Sequence, residues 1–101
     1  MRVVWAPRAI TRAAEIAGYI AEDRPGAAAR WVQDLFAKVA GLRQQGRRGR
    51  KVPELNRDEV RELLFGEYRI IYRLDPKRIV ILTVRHGRRR WEPSELEPDI
   101  E

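Results

Sequence analysis

The sequence predicts an α+β fold, in which an N-terminal strand precedes an antiparallel helical hairpin packed on one face of a small antiparallel β-sheet. Apolar residues recur at helical spacing in the first half of the chain. Alternating strand patterns separated by tight-turn signals fill most of the second half. The chain has 101 residues, a length that suits one small domain, and we expect residues 1–101 to form it.

The N-terminal half contains one strand signal and two helix signals. "RVVW" (2–5) is short and apolar and predicts an opening strand, although its place in the sheet does not follow from sequence. Pro7 suits the first position of a helix, which should end near Asp23 because Pro25 follows. The apolar positions of this first helix are Ile10, Ala13, Ala14, Ala17, Ile20 and Ala21.

The second helix is predicted to begin at Pro25 and to pack antiparallel to the first. Its apolar stripe steps by 4, 3, 4 and 3 residues through Ala28, Val32, Leu35, Val39 and Leu42. The connection between the helices is so short that a helical hairpin is expected.

The C-terminal half predicts a basic loop and then a sheet. "QQGRRGRK" (44–51) indicates a loop, and "VPEL" (52–55) indicates an extended segment that Pro53 keeps at an edge. The strand candidates are "VRELLF" (60–65), "YRIIYRL" (68–74) and "RIVILTVRH" (78–86). Gly66-Glu67 is typical of a type II′ turn, and 75–77 of a second tight turn.

A three-residue turn at 75–77 predicts the pairing of the last two strands. It sets Leu74 opposite Arg78, Tyr72 opposite Val80, Ile70 opposite Leu82 and Tyr68 opposite Val84. This face, joined by Leu63 and Phe65, is predicted to lie under the helices.

The other face of the sheet is predicted to carry a mixture of cations and apolar residues. Its members are Arg69, Ile71, Arg73, Ile79, Ile81, Thr83 and Arg85. Such a mixture is typical of a surface that binds a macromolecule. The alternative is that Glu62 pairs with Arg69 and Arg73 across the strands.

Composition indicates which class of partner the protein binds and in which cellular compartment it is expected. The chain has 21 Lys and Arg against 15 Asp and Glu, which favours an anionic partner such as nucleic acid or an acidic protein segment. It has no cysteine, no apolar run long enough for a membrane span and no signal-peptide core, so a cytoplasmic protein is expected. We predict no metal site and no cofactor.

Several motifs taken together resemble the RelE/ParE superfamily of bacterial toxins. They are "VVWAPRAI", "VPEL", "RELLFGEYRIIYR" and "IVILTVRHGRR", in this order along nearly the whole chain. The resemblance implies the toxin half of a type II toxin–antitoxin system, with the fold predicted above. It also implies a cognate antitoxin, usually acidic where it contacts the toxin, and a toxin–antitoxin hetero-oligomer.

The superfamily has two branches with different targets. RelE-like members are ribosome-dependent mRNA endoribonucleases, and ParE-like members inhibit DNA gyrase without known nuclease activity. In the nuclease branch the resemblance implies Arg69 as a phosphate-binding catalytic residue and Glu54 as general base. His86 is the natural acid–base candidate because it is the only histidine. A third alternative is a non-toxic member that only binds its partner.

The C-terminal motif favours the ParE-like branch. Gly87 stands where a nuclease could carry a catalytic side chain, and no tyrosine follows Tyr72. "VRHGRR" is more similar to ParE-like sequences. We therefore expect a gyrase inhibitor, with the endoribonuclease as the alternative.

Two sets of residues are predicted to contact partners. The target and antitoxin set comprises Arg69, Ile71, Arg73, Arg85, Arg88 and Arg89. The phosphate-binding set comprises Arg48, Arg50 and Lys51. Arginine runs of this kind are also common on solvated surfaces, and Trp91 is a weak candidate for stacking on a base.

Overall fold

The structure is a computed structural model that describes residues 1–88. Its elements in chain order are β1 (Arg2–Trp5), α1 (Pro7–Asp23), α2 (Pro25–Ala40), the 3₁₀ turns η1 (Gly41–Arg43) and η2 (Gly46–Arg48), β2 (Arg50–Lys51), β3 (Val60–Phe65), β4 (Tyr68–Leu74) and β5 (Arg78–His86). The predicted α+β class is confirmed. Within residues 1–88, no helix has the length and apolarity needed to cross a lipid bilayer.

The five strands form one sheet in the order β1-β5-β4-β3-β2. Neighbouring strands are antiparallel, except that β1 runs parallel to β5 with Arg2 opposite Arg78. The opening strand, whose place in the sheet was left open by the sequence, occupies an edge, and its parallel pairing makes the sheet mixed. A parallel pair needs a long crossover, which here contains both helices and the rest of the sheet.

Both helices begin at the predicted prolines and form the predicted hairpin. The α2 stripe is confirmed, because Ala28, Leu35 and Val39 are buried in the helix and Leu42 is buried just beyond it. The α1 stripe is confirmed at Ala13, which packs on the core, but Ala9 and Ile16 pack there too and were not predicted. Ile10 is 57% exposed.

The helices cover one face of the sheet with an apolar core. Its fully or nearly fully buried members are Ala9, Leu35, Val39, Leu42, Leu63, Ile70, Tyr72, Ile79, Ile81 and Val84. Burial of each large aliphatic side chain stabilises the fold by about 1.5–3 kcal/mol. This core fixes the positions of both ends of the sheet, where the candidate binding surfaces lie.

The pairing of β4 with β5 differs from the predicted register because of a β-bulge. Ile71 lies opposite Thr83, but Tyr72 lies opposite Ile81, so Leu82 has no partner in β4. The bulge reverses the alternation of β5: Ile79 and Ile81 face the helices, and Val80 and Leu82 face away. The predictions for all four of these residues were wrong.

The second face of the sheet is not open to solvent. Val52 lies over it in a second buried cluster with Ala6, Val60, Ile71, Val80 and Leu82, against which Leu55 packs. "VPEL" is a turn, not the predicted extended segment. Residues 52–60 thus close the face that was predicted to bind a macromolecule, because its isoleucine and valines need cover of their own.

Candidate functional site

Arg69, the strongest candidate from sequence, is held inside a network of ion pairs. Its Nε donates a hydrogen bond of 2.6 Å to Glu62 Oε1. Its Nη1 and Nη2 donate bonds of 2.8 Å to the two carboxylate oxygens of Glu54. The side chain is only 8% exposed. The guanidinium therefore joins the turn at residues 53–55 to strands β3 and β4.

Glu62 is the buried centre of this network. Its side chain is fully buried between Arg69 and Arg50, whose Nε donates a bond of 2.6 Å to Oε2. Arg85 is buried directly opposite Arg69, and like charges in that arrangement repel each other. The two glutamates offset this repulsion.

The network shifts the pKa of both members of its outer pair. Hydrogen bonds from Arg69 lower the pKa of Glu54 from 4.5 to about 2, and the nearby charge of Arg85 acts in the same direction. Hydrogen bonds to Glu54 and Glu62 raise the pKa of Arg69 above its usual value. Both groups are therefore charged at neutral pH, as an ion pair requires.

The predicted open surface around Arg69 was therefore wrong. Ile71 is fully buried, and Arg69 and Arg85 are nearly so. Arg73 is half-buried and binds Asp75 instead of Glu62, at 2.7 Å from Nε to Oδ1. The cross-strand alternative is confirmed for Glu62 and Arg69. The contribution of these residues to target or antitoxin binding stays a prediction.

The three candidates for RNA cleavage do not line one groove. Glu54 and Arg69 line a groove of about 320 Å³ with Gly87. His86 lines another, on the helix side of the sheet, and its ring packs edge-on against Tyr68 at 5.7 Å. His86 Nδ1 accepts a hydrogen bond of 3.2 Å from the backbone N–H of Arg88.

An aromatic groove lies where the helical hairpin meets the β3–β4 turn. The ring of Trp31 lies 5.8 Å from Phe65 and 5.5 Å from Tyr68. Two adjoining depressions of about 500 and 570 Å³ share Tyr19 and Tyr68, and together we call them the aromatic groove. Tyr19 is 74% exposed beside it. It is also lined by His86 and by the charged residues Arg12, Glu15, Asp23, Arg24, Glu67 and Arg85.

The basic loop is held rigidly against the sheet. The Tyr72 hydroxyl accepts a bond of 2.9 Å from Gly49 N–H and donates one of 2.7 Å to the Gly46 carbonyl oxygen. A Cβ at Gly49 would lie 2.5 Å from the Glu62 carbonyl oxygen, so only glycine fits there. Arg61 binds the Gly49 carbonyl oxygen at 2.9 Å.

The predicted phosphate-binding residues lie on this loop. Arg48, Arg50 and Lys51 are all exposed. Arg50 is engaged by Glu62, and the neighbouring Arg47 by Asp58. Arg47 lowers the pKa of Asp58. Their role in binding phosphate stays a prediction.

Arg88 is the last described member of the predicted target and antitoxin set. Arg88 is exposed in the turn after β5. Arg89, Arg90 and Trp91 lie outside the described residues.

Sequence reasoning missed the aromatic groove as a site, although two of its side chains were already assigned to elements. Phe65 was assigned only to the core face of the sheet, and Trp31 falls within the predicted second helix without a role of its own. These aromatic residues are far apart in the sequence. They form one cluster only when the helical hairpin packs over the end of the sheet, so no local sign of the groove is present in the sequence.

Comparison with known proteins identifies the family. The profile of the family described as "ParE toxin of type II toxin-antitoxin system, parDE" matches residues 3–91. The chain belongs to this family. The resemblance to the RelE/ParE superfamily, and the preference for its ParE-like branch, are thereby confirmed.

Two relatives agree with this assignment. A protein of Sinorhizobium fredii (strain NBRC 101917 / NGR234), named "Putative toxin Y4kP", is 37% identical over 95 residues, covering 89% of this chain and 92% of that protein. A solved structure titled "Chromosomal ParDE TA system from P. aeruginosa" has a TM-score of 0.73 at 25% identity. The match covers 85% of this chain and 95% of that one. The chain is thus a ParE-family toxin of a type II toxin–antitoxin system, for which an antitoxin partner is supported.

Proposed function

We propose that this ParE-family toxin inhibits DNA gyrase in the cytoplasm and is neutralised by a cognate antitoxin. Gyrase inhibition is what membership of the ParE-like branch implies. In this proposal the toxin acts by binding its target and performs no cleavage of its own.

The closed Arg69 network is the observation that favours gyrase over mRNA as the target. RNA cleavage of the RelE-like kind needs a cation free to bind the reacting phosphate, with a base and an acid beside it. Here both outer nitrogens of Arg69 are bonded to Glu54. His86 lines a different groove, so the geometry favours the target-binding toxin over the endoribonuclease.

We further propose that the antitoxin binds in the aromatic groove. The groove combines apolar rings from both helices and the sheet with three arginines and three carboxylates. A segment with apolar anchors and flanking charges of both signs suits such a surface. The exposed ring of Tyr19 then becomes an anchor that loses water on binding.

The test is a supercoiling assay with purified gyrase, the toxin and the protein encoded beside it. We expect the toxin to inhibit supercoiling and the antitoxin to restore it. Cleaved mRNA in a ribosome assay, with gyrase unaffected, would instead establish the endoribonuclease. No effect in either assay, together with tight antitoxin binding, would identify a partner-binding member.

The same assay tests the groove with a matched pair of variants on α1. Tyr19 and Ile10 are both exposed apolar residues of this helix, and only Tyr19 lines the groove. Tyr19→Glu should weaken antitoxin binding about tenfold or more, since a charge would enter an apolar contact. Ile10→Glu should leave binding within about twofold. Equal effects of the two changes would place the antitoxin elsewhere.

A further inference from the structure

We propose that a second groove, at the opposite end of the sheet, binds the sugar-phosphate backbone of duplex DNA. The groove measures about 750 Å³ and is lined by Met1, Arg2, Val3, Ala40, Arg43 and Gln44. We call it the arginine groove. It shares no lining residue with the aromatic groove or with the Arg69 network.

The groove is built from the start of β1 and the turn η1. Leu42 of η1 is fully buried in the core and anchors the turn. The Met1 nitrogen donates a bond of 2.7 Å to the Arg43 carbonyl oxygen, which ties the first strand to the turn. Arg2 and Arg43 therefore flank one concave surface, and both are exposed.

A third cation approaches from the basic loop. A Cβ at Gly41 would lie 3.3 Å from Nη1 of Arg48, so this guanidinium reaches back to η1. The loop that carries it is seated on the sheet, since a Cβ at Gly46 would lie within 3.1 Å of the Leu74 and Ile79 side chains. The Tyr72 hydroxyl bonds fix the same loop.

The chemistry of the lining selects phosphate over an acidic peptide. Among the described residues, the lining contains two arginines but no carboxylate and no aromatic ring. The aromatic groove has the opposite character, with rings and with Glu15, Asp23 and Glu67. A peptide needs apolar anchors to bind specifically, whereas a phosphate backbone needs only charge and hydrogen-bond donors.

Arginine and rigidity strengthen this assignment. The planar guanidinium binds phosphate oxygens with two parallel hydrogen bonds. Because the core and the Tyr72 hydroxyl already hold the loop, little conformational entropy is lost when an anion binds. Three arginine contacts predict a decrease in affinity with a slope of about −2.7 in a plot of log K against log salt.

The experiment measures the fluorescence anisotropy of a labelled 20-base-pair duplex with the full chain, without gyrase, between about 50 and 200 mM salt. The test variant is Arg43→Gln with Arg48→Gln. The matched control is Arg30→Gln with Arg57→Gln, which removes the same charge from exposed arginines that line none of the grooves described above. Thermal unfolding checks that both variants keep the fold.

We expect the test variant to bind DNA about tenfold more weakly at low salt, with its slope reduced by about 2. The control should stay within about twofold of wild type, with a slope changed by less than about 0.5. Equal losses in the two variants would show that only overall charge matters, and wild-type binding in the test variant would also reject the groove.

A glutamate-rich peptide serves as the competing occupant. If it binds wild type and loses affinity only in the test variant, while duplex binding is unchanged, the groove is a peptide site and the proposal is wrong. The gyrase assay has an independent outcome: DNA binding with no gyrase inhibition rejects the proposed target and leaves the arginine groove intact.

Discussion

The two faces of the sheet are both buried, but they are stabilised by different forces. The helix face is closed by apolar side chains, with the Tyr72 hydroxyl at its margin bonded to the basic loop. The second face has a smaller apolar cluster, and beside it charged groups of residues 54, 62, 69 and 85 are buried or bound in ion pairs. A helix hairpin offers many apolar contacts, whereas the short segment 52–60 offers few.

The comparison shows what a buried charge network contributes to a small toxin. A few ion pairs fix the position of a short turn for which apolar contacts alone give little area. They do so only while every partner is present, because a buried unpaired charge is costly. The helix face should therefore tolerate changes of pH, and the second face should not.

The largest effect is expected from Arg69→Ala. The change leaves the buried carboxylate of Glu62 with the exposed Arg50 as its remaining ion-pair partner, and we expect the free energy of unfolding to fall by about 3–5 kcal/mol. Urea unfolding measures this loss. Arg73→Ala is the matched control on the same strand, and because its partner Asp75 also binds Arg78, we expect a smaller loss of about 1 kcal/mol.

The double variant Arg69→Met with Glu62→Leu separates charge from packing. Replacing a buried ion pair by apolar residues of similar volume is often neutral or stabilising. Glu54 and Arg50, which lose their partners, are exposed enough to be hydrated, so stability should return to within about 1 kcal/mol of wild type. A double variant as unstable as Arg69→Ala would show that the ion pairs stabilise the fold themselves and do not merely avoid an unpaired buried charge.

A smaller effect is expected from Tyr72→Phe. The ring stays in the helix-face core, but the N–H of Gly49 and the carbonyl of Gly46 lose their partner, at a cost of about 1–2 kcal/mol. Tyr19→Phe removes a hydroxyl from an exposed ring and should change stability by less than about 0.5 kcal/mol. Equal urea midpoints for the two variants would contradict the anchoring role of Tyr72.

The last prediction, and the sharpest contrast between the faces, concerns acid. Arg69 lowers the pKa of Glu54 to about 2, so in the interval up to the ordinary value of 4.5 the unfolded chain binds more protons. The contribution of Glu54 is thus present above about pH 4.5 and lost as the pH falls toward 2. Glu54→Gln should flatten this part of the stability profile.

Val39→Ala provides the comparison on the helix face. The residue is buried and uncharged, so its loss of about 2 kcal/mol should be the same at every pH. Urea unfolding at pH 3 and pH 7 measures both variants. If Glu54→Gln followed the wild-type profile, the Glu54–Arg69 pair would contribute nothing to acid sensitivity.

The elements that were predicted correctly have local causes. Pro7 and Pro25 begin helices because their fixed φ suits a first turn. Gly66 has a φ of 58°, as the first position of the predicted hairpin turn requires. These signals act within a few residues, so sequence alone reveals them.

The register of β5 was wrong because the strand is apolar throughout. In "IVIL" (79–82) every residue is buried, two on each face, so alternation carries no information about direction. The bulge at Leu82 then shifts the pairing of β5 with β4, and no glycine in the sequence indicates a bulge at this position. Only the contacts of the folded sheet determine which residues face the helices.

The candidate site was predicted in its members but not in its arrangement. Glu54 and Arg69 were both selected from the sequence, and the structure joins them, yet as a closed pair and not as an open surface. The closure depends on a turn at residues 53–56, where Asn56 adopts a left-handed φ of 52° that asparagine tolerates better than most residues. A contact between residues 15 positions apart in sequence leaves no local signal.

The parallel pairing of β1 with β5 has a practical consequence for protein engineering. Residue 2 lies beside residue 78, and both strands begin at the end of the sheet that holds the arginine groove. Strand β5 then extends about 26 Å along the sheet to His86, which lines the aromatic groove. An affinity tag or fluorescent fusion placed before Met1 would crowd one groove and leave the other accessible. Fusion partners can therefore serve as steric probes for deciding which groove meets which molecule.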